Sequence, residues 1–364
     1  MKIALINNLY KPYNKGGAER VTESLINDWQ KLGHSCFLIS TKPKNKKEVN
    51  ENPRTYYLNS EYYNLAHKSF IYRLFWQIAN LFNFNFNRRK KLKNILQKEK
   101  PDLIISNNLM GIGLWTFRII KKLGIKHEHI LHDVQLFYPS GLIIWGKEKK
   151  TKSLTAKIYQ AIARRIIGSP DMIISPSRWL LDEHLKRSYF KNSQSQVRPN
   201  PINIKKLDKG EELYQEEKKK EESFNFLFVG QIENHKGIIF LIEVFKNFTK
   251  EGAKLKIVGS GSLEKKVLQM IAEDKRFEFL GRKDLPALAF ELQNSDCLIV
   301  PSLCYENSPT IIYEAKVFNL PIIASDLGGI PELINGKQEY LFKAGDKNDL
   351  IEKMEKIIQI LDKK

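Results

Sequence analysis

The sequence predicts an α/β protein with two doubly wound domains, each built on a parallel sheet. Short apolar runs rich in β-branched residues alternate with amphipathic segments along the whole chain of 364 residues. Continuous apolar runs are typical of strands that are buried on both faces of a parallel sheet. The alternation occurs on both sides of a charged segment that contains prolines, so we expect two sheets rather than one.

Ten apolar runs predict the strands, and an amphipathic segment at 18–33 predicts the first helix. Residues 197–223 are rich in proline and charge and carry little apolar periodicity, which is typical of an exposed connection. We predict an N-terminal domain at 1–200, a charged connection at 201–223 and a C-terminal domain at 224–364. The predicted strands are 2–8, 35–41, 102–106, 129–133, 171–177, 224–230, 254–259, 277–281, 297–302 and 320–325.

Bulk properties favour a cytoplasmic protein with an anionic partner. The three cysteines lie far apart in apolar sequence, which predicts buried free thiols. No apolar run approaches the roughly 20 residues of a spanning helix, and we expect no signal peptide. Residues 1–200 hold 35 Lys and Arg against 14 Asp and Glu, a net charge of +21, whereas the rest carries −2. This asymmetry indicates nucleic acid, anionic lipid or a phosphorylated acceptor, unless it is only a solvated lysine-rich surface.

The stretch 69–98 allows two interpretations. Arg73, Gln77 and Asn80 fall on one narrow stripe of a helix and leave a wide apolar face, and the basic cluster RRKKLK (88–93) follows. Aromatic residues beside basic ones are typical of an interfacial membrane helix. The alternative is a helix that packs on the sheet of its own domain. The aromatic residues of the apolar face are Phe70, Phe75, Trp76 and Phe82.

Three glycine-containing turns follow predicted strands, at the edge where doubly wound sheets bind ligands. They are NKGGAER (14–20), GQIENHKG (230–237) and VGSGSLE (258–264). Gly16 and Gly17 would allow backbone to approach an anion at a helix start, and Lys236 would reach a phosphate. Each turn alone is a weak signal, because glycine pairs often mark only a turn.

Two glutamates, Glu306 and Glu314, stand eight residues apart after the buried run CLIVPS. An ideal helix would place them roughly 80° apart, so the first is expected in a loop and the second on the following helix. Ser308 is predicted to cap that helix and Pro309 to be its first residue. A diphosphate would then bind the amides of Thr310 and Ile311, with Glu314 at a ribose and Glu306 at a sugar hydroxyl. The alternative is a solvated loop glutamate and a helix-face glutamate.

These motifs occur in an order that resembles the family 4 retaining glycosyltransferases. The resemblance covers nearly the whole chain, and the Glu-x7-Glu block is its most specific part. It implies the GT-B fold, with two Rossmann-like domains that face each other across a cleft. The matching segments are GGAER, HDVQLFYPSG, SPSRWLLDEHL, RPNPIN, FLFVGQIENHKG, LKIVGSGSLE, FLGR, LIVPSLCYENSPTIIYEA and LPIIASDLGGIPELI.

The resemblance also implies roles for single residues. Lys236 would neutralise the leaving diphosphate, Gly281 and Arg282 would read the base through backbone, and His132 would sit near the transferred sugar. The implied catalytic residues are His132, Lys236 and Glu306. The implied donor-binding residues are Gly16, Gly17, Gln231, Lys236, Gly259, Gly261, Gly281, Arg282, Glu306, Ser308, Thr310, Ile311 and Glu314.

The chain departs from the family pattern in three places. Gln231 stands where the family often has arginine, so one positive charge on the diphosphate would be missing. Asn307, Ser308 and Pro309 replace the usual x-Phe-Gly after Glu306, which removes one backbone donor. Members usually continue past a segment like 346–364 into a helix that crosses back, so we expect either a truncation or a reduced interdomain clamp.

The predicted reaction transfers a sugar from UDP- or GDP-sugar to a hydroxyl of a glycan or lipid-linked acceptor, with retention. No Asp-x-Asp motif is present, so no metal and no cofactor are expected. The basic half would bring the protein to the inner face of the cell membrane. Two alternatives are a sugar-nucleotide epimerase of the same architecture and a non-enzymatic binder of anionic polymers. No nucleic-acid motif supports the second, so we expect no nucleic-acid partner.

Overall fold

The computed structural model describes residues 1–13, 17–46, 53–69, 71–72, 75–76, 79, 85–201, 223–335 and 339–361. The chain forms two compact units. The first contains Met1–Leu142 and Lys149–Pro201, and the second contains Ile143–Glu148 and the described residues between Ile202 and Lys364. Each unit is a parallel sheet with helices, and the fold class predicted from the sequence is therefore confirmed.

The first unit is a sheet of seven parallel strands in the order β3-β2-β1-β4-β5-β6-β7. The chain turns from one half of the sheet to the other between β1 and β4, which pair in register from Ile3 with Leu103 to Ile6 with Ser106. The strands are β1 (Lys2–Ile6), β2 (Ser35–Pro43), β3 (Thr55–Ser60), β4 (Leu103–Ser106), β5 (Lys126–Ile130), β6 (Met172–Ser175) and β7 (Gln194–Val197). The helices are α1 (Gly17–Lys31), α2 (Phe86–Glu99), α3 (Thr116–Leu123), α4 (Leu154–Ile167) and α5 (Arg178–Leu185), with 3₁₀ turns at Tyr62–His67 and Glu148–Lys152.

The second unit is a sheet of six parallel strands in the order β10-β9-β8-β11-β12-β13. Its strands are β8 (Phe224–Val229), β9 (Ala253–Val258), β10 (Phe277–Gly281), β11 (Cys297–Val300), β12 (Ile322–Ser325) and β13 (Glu339–Phe342). Its helices are α6 (Ile238–Lys246), α7 (Glu264–Ile271), α8 (Leu285–Gln293), α9 (Thr310–Val317) and α10 (Lys347–Leu361), with 3₁₀ turns at Asn234–Lys236 and Ile330–Glu332.

Both faces of the second sheet are buried at its centre, which explains the apolar sequences of β11 (CLIV) and β12 (IIAS). Phe226 and Phe228 of β8 pack in a cluster with α6, α7 and α10, whereas Leu227 between them packs in a second cluster with α8 and α9. Neighbouring strand residues point to opposite faces, so a strand covered on both sides needs apolar residues at every position. This packing fixes the strands and leaves their carboxyl ends to carry the polar loops.

Three strands were not predicted, and one predicted strand is shifted. No apolar run predicted β3, β7 or β13, all of which are edge strands. A strand was predicted at 129–133, but β5 ends at Ile130, so His132 lies in the loop beyond it. The segment Ile143–Glu148, which the sequence analysis assigned to the first domain, is grouped with the second unit.

The basic cluster of the 69–98 stretch lies on α2, which begins at Phe86. Asn85 Oδ1 accepts a hydrogen bond from the Arg88 amide and caps this helix. Phe75 is 69% exposed, and Leu92, Ile95 and Leu96 form the buried side of α2. The positions Phe70, Arg73, Gln77, Asn80 and Phe82 lie outside the described residues, so the predicted apolar face is not described.

The cysteines are free, as predicted. Cys297 and Cys304 are buried, whereas Cys36 is half-buried.

Candidate active site

The candidate site lies at the carboxyl edge of the second sheet. The strand order reverses between β8 and β11, and ligands of doubly wound sheets bind beyond the carboxyl ends of the strands at such a reversal. Lys236 follows β8 and Glu306 follows β11. The loops after the two neighbouring strands therefore bring these residues together, although they are 70 positions apart in sequence.

Lys236 and Glu306 form a close ion pair. Lys236 Nζ lies 2.5 Å from Glu306 Oε1, and the Ser302 hydroxyl donates to the same oxygen at 3.0 Å. The Lys236 and Glu306 side chains are 26% and 14% exposed. The pair is therefore shielded from bulk water on most sides but is still open to a ligand.

Each member of the pair keeps the other charged. Burial lowers the pKa of Lys236, but attraction and hydrogen bonding to Glu306 outweigh it, and the pKa lies above its ordinary value. Burial raises the pKa of Glu306, but Lys236 and the Ser302 hydroxyl outweigh it, and the pKa lies below its ordinary value. A fixed ammonium therefore stands at the place where an anionic ligand would bind.

Two glycines make the tight backbone of this edge possible. Gly237 has φ +75°, and an added Cβ would lie 1.8 Å from the carbonyl oxygen of Pro301. Gly259 has φ +148°, and its Cβ would lie 1.8 Å from the carbonyl oxygen of Gly230. Side chains at either position would push apart the loops that carry Lys236 and the predicted diphosphate contacts.

Further hydrogen bonds join the loop after β8 to the loop after β9. The Ile232 amide donates to Ser260 O, and the Leu263 amide donates to Ile232 O. The Glu233 carboxylate accepts from the Ser262 amide at 2.8 Å and from its hydroxyl at 2.7 Å. The predicted donor residues Gly261 and Gln231 lie on these two loops and are exposed.

The helix after β11 carries the second glutamate. Glu314 is buried in α9, 6% exposed, between apolar residues, whereas Glu306 lies in the preceding loop. The prediction that Ser308 caps this helix and Pro309 is its first residue is wrong. The helix begins at Thr310, Pro309 takes the cap position, and Ser308 Oγ lies 2.7 Å from the Tyr313 hydroxyl. Thr310 and Ile311 are the first two residues, and their amides cannot bond within the helix.

The predicted base-reading residues end β10. Gly281 is the last residue of this strand, and its carbonyl accepts a hydrogen bond from the Gly259 amide at 2.8 Å. Arg282 follows and is exposed. The structure thus connects this strand end to the glycine turn after β9.

Other predicted residues belong to the first unit. Gly17 is the first residue of α1, and Gly16 lies outside the described residues. His132 is half-buried after β5, and burial lowers its pKa to about 4. Its Nε2 lies 2.9 Å from Asn107 Oδ1. A carboxamide oxygen can only accept, so Nε2 donates in this contact. The lowered pKa makes the imidazole neutral near pH 7.

Several residues that contact the predicted site residues were not predicted from the sequence. Ser302 ends the run CLIVPS. Its hydroxyl, four positions before Glu306, was the feature from which the contact could have been predicted. Asn107, which contacts His132, directly follows β4 at the sheet edge where His132 also lies. A polar residue directly after a buried strand is a feature from which a site residue could have been predicted. Glu148 and Tyr305 are 157 positions apart, so no local sequence pattern predicts their contact.

Within the described ranges, every helix is too short or too polar to span a membrane. No group of three or more His, Cys, Asp or Glu in the same ranges is arranged to hold a metal ion. Metal independence stays a prediction of the family resemblance.

Comparison with known families agrees with this fold. Residues 15–206 match the model Glycosyltransferase Family 4, and residues 223–360 match Glycosyl transferases group 1. These matches define the chain as a nucleotide-sugar glycosyltransferase. The chain belongs to glycosyltransferase family 4 and is a retaining enzyme with the GT-B fold. The family predicted from the motifs is confirmed.

Individual relatives are distant but match most of the chain. An uncharacterized 42.6 kDa protein in the cps region of Klebsiella pneumoniae is 25% identical over 354 residues, which cover 92% of this chain and 87% of the relative. The putative teichuronic acid biosynthesis glycosyltransferase TuaC of Bacillus subtilis is 24% identical over 359 residues, 94% of this chain and 85% of TuaC. The structure of Anabaena Alr3699/HepE in complex with UDP has a TM-score of 0.69 at 16% identity, covering 99% of this chain and 90% of that chain.

Proposed function

We propose that this enzyme transfers a sugar from a UDP- or GDP-sugar to an acceptor hydroxyl of a glycan precursor. The observation that carries the proposal is the Lys236–Glu306 pair at the strand-order reversal of the second sheet. An ammonium beside a carboxylate fits a ligand with phosphates next to hydroxyls, which describes the diphosphate and sugar of such a donor.

The donor contacts follow from the positions of the site residues. The diphosphate binds Lys236 and the amides of Thr310 and Ile311, where a helix N-terminus favours anions. The Glu306 carboxylate accepts from a sugar hydroxyl, and Glu314 accepts from the ribose diol. Backbone at Gly281 and Arg282 reads the base, and Gln231 donates a hydrogen bond where related enzymes place a positive charge.

Catalysis in this proposal is mainly electrostatic. The bond between the anomeric carbon and the diphosphate oxygen breaks, the acceptor oxygen bonds to the same face of that carbon, and the departing phosphate takes the acceptor proton. Lys236 and the helix-start amides stabilise the charge that develops on the diphosphate. His132, neutral at physiological pH, exchanges hydrogen bonds with the transferred sugar, and Asn107 fixes its ring.

A thermal-shift panel tests the donor assignment. The melting temperature is measured with UDP, GDP, ADP and their sugars, because a ligand that binds the native state raises it. We expect one base to give a shift and Glu314→Gln to reduce that shift. Glu243→Gln, which removes an exposed carboxylate paired with Lys347 on another part of the unit, is the matched control. The assignment fails if no nucleotide shifts the melting temperature, or if both variants behave alike.

We propose that the acceptor is a lipid-linked glycan reached at the inner face of the cell membrane. The name of the relative TuaC refers to teichuronic acid biosynthesis, which supports a polysaccharide precursor. The first half of this chain carries a net charge of +21. A cavity of about 440 Å³ opens between α2 and the edge strand β3, and three lysines contribute to its wall. Its lining residues are Tyr56, Asn87, Lys90, Lys91, Asn94, Ile95 and Lys98.

Vesicle flotation tests the membrane contact. The protein is mixed with vesicles of neutral lipid alone and with vesicles that contain anionic lipid. Binding is expected only to anionic vesicles and is expected to weaken as salt rises. Replacing Lys90 and Lys98 by Gln should reduce flotation, whereas replacing Lys254 and Lys347 of the second unit should not. Equal flotation with both vesicle types would remove the electrostatic argument.

A further inference from the structure

The segment Ile143–Glu148 packs in the second unit, although the residues on both sides of it in the chain belong to the first. Ile144 forms an antiparallel bridge with Cys304. The Trp145 amide donates to Leu303 O at 3.0 Å, and the Tyr305 amide donates to Ile143 O at 2.9 Å. The segment therefore pairs through an isolated antiparallel bridge with the loop that runs into Glu306. We call Ile143–Glu148 the strap.

The loop at 303–305 is held from two sides. The Leu303 amide donates to His235 O at 2.9 Å, directly beside Lys236, while the strap bonds Leu303 O and the Tyr305 amide. On its far side, the Glu306 carbonyl accepts from the Gly329 amide at 2.8 Å. The backbone position of Glu306 is thus set by three neighbours, of which the strap is one.

Side chains strengthen the contact between the strap and this loop. The Tyr305 hydroxyl donates to Glu148 Oε1 at 3.1 Å, and the same oxygen accepts from the Gly146 amide at 2.7 Å. Burial raises the pKa of Glu148, but these hydrogen bonds and a bond to its own amide outweigh it, and the pKa lies below its ordinary value. Glu148 is therefore an anion near pH 7 and a good acceptor for Tyr305.

The strap is also packed against the second unit. The Trp145 ring lies over the backbone of Gly345, so closely that a Cβ at that position would lie 2.5 Å from Cη2. Ile143 is 5% exposed. These contacts anchor the first half of the strap, which makes the hydrogen bonds to 303–305.

We propose that the strap positions the Glu306 carboxylate for the sugar part of the donor, with Glu148 and Tyr305 as the positioning residues. This inference rests on the proposed function, in which Glu306 accepts from a sugar hydroxyl. The backbone beside Lys236 contacts the other side of this loop, where the Leu303 amide donates to the His235 carbonyl. Because Glu306 also pairs with Lys236, loss of the strap contact should weaken binding of the sugar more than binding of the diphosphate.

The test compares the dissociation constants of UDP and UDP-glucose by calorimetry, or of GDP and GDP-mannose if the panel selects guanine. Tyr305→Phe removes the donor hydroxyl, and Glu148→Gln removes the negative charge of the acceptor; both keep the shape of the side chain. We expect each to weaken the nucleotide-sugar about threefold to tenfold relative to the free nucleotide. The double variant should weaken it by less than the sum of the single effects, because both act on the same hydrogen bond.

Two further variants separate failure of the inference from failure of the proposed function. Glu306→Gln must weaken the nucleotide-sugar selectively, and if it does not, the role of Glu306 in the proposed function is wrong. If Glu306→Gln does so while Tyr305→Phe and Glu148→Gln bind like the wild type, the strap inference is overturned. Glu243→Gln is the control for loss of a carboxylate elsewhere in the unit. Equal weakening of nucleotide and nucleotide-sugar would indicate general loosening and would also overturn it.

Discussion

The Lys236 ammonium and the Glu306 carboxylate are useful together because each stays charged across a wide pH range. The lowered pKa of Glu306 means that its contribution to stability is present above the ordinary value of 4.5 and is lost only as the pH falls below it. The raised pKa of Lys236 means that its contribution is present below 10.5 and is lost at still higher pH. The pair is therefore intact between about pH 5 and pH 10.

Replacing Lys236 by Met should lower kcat by about 100-fold or more, because the cation that stabilises the leaving diphosphate is removed. It should also lower the free energy of unfolding by about 1–3 kcal/mol, since the Glu306 carboxylate loses its partner. Steady-state kinetics and urea denaturation measure the two effects. Lys347→Met, which breaks an exposed pair with Glu243, is the control and should change neither. A Lys236→Met enzyme with wild-type kcat would refute the role.

At the scale of elements, loops after parallel strands build the site, and glycine sets how closely they approach. The loop after β8 passes the carbonyl of Pro301 at Gly237 and contacts the glycine turn after β9. The strap adds a third connection, to the loop after β11. Backbone contacts between these loops therefore position Lys236, Glu306, Glu314 and the amides at the start of α9.

Gly237→Ala should destabilise the protein by about 3 kcal/mol or more, because backbone strain at φ +75° adds to a clash with Pro301 O. Gly281→Ala is the matched comparison, since φ is +65° there and nothing lies within 4 Å of the added Cβ. It should cost only about 1–2 kcal/mol. Urea denaturation of both variants measures the difference. Equal losses of the free energy of unfolding in the two variants would show that the loops separate at Gly237 without an energetic cost.

At the scale of the whole molecule, buried histidines are concentrated in the first unit. His127 Nε2 and His129 Nδ1 lie 2.7 and 2.8 Å from the Ser106 hydroxyl, and His184 Nδ1 lies 2.8 Å from Leu180 O. Burial lowers the pKa of His127, His132 and His184 to about 4 each. Burial, together with the neighbouring histidines, lowers the pKa of His129 as well.

These histidines predict acid sensitivity. The unfolded chain binds protons near pH 6.5, whereas the folded chain takes them up only near pH 4, so protonation favours unfolding between these values. The melting temperature should fall steadily as the pH drops from 6.5 toward 4, at constant ionic strength. The effect should be centred on the first unit, which holds six of the seven histidines in sequence. A melting temperature that is constant from pH 7 to pH 5 would contradict this prediction.

The sequence alone determined the fold class, the family and most central strands. A strand in the middle of a doubly wound sheet is covered on both faces, so it is usually an apolar run that can be recognised locally. The central strand β5, KHEHI, is polar, and its predicted position was displaced. The missed strands β3, β7 and β13 lie at sheet edges, where one side is uncovered and polar residues such as those of QSQV are tolerated. Glu306 and Glu314 could be predicted as site residues because their spacing places one in a loop and the other on the helix that follows.

Only the tertiary structure decided which of these residues meet. Lys236 and Glu306 touch because β8 and β11 are neighbours, and strand order is a property of the sheet and not of any local pattern. The helix start moved from Ser308 to Thr310 for a similar reason, since the Ser308 hydroxyl lies against Tyr313. The contact of Glu148 with Tyr305 depends on chain segments folding back over 157 positions, which sequence spacing does not encode.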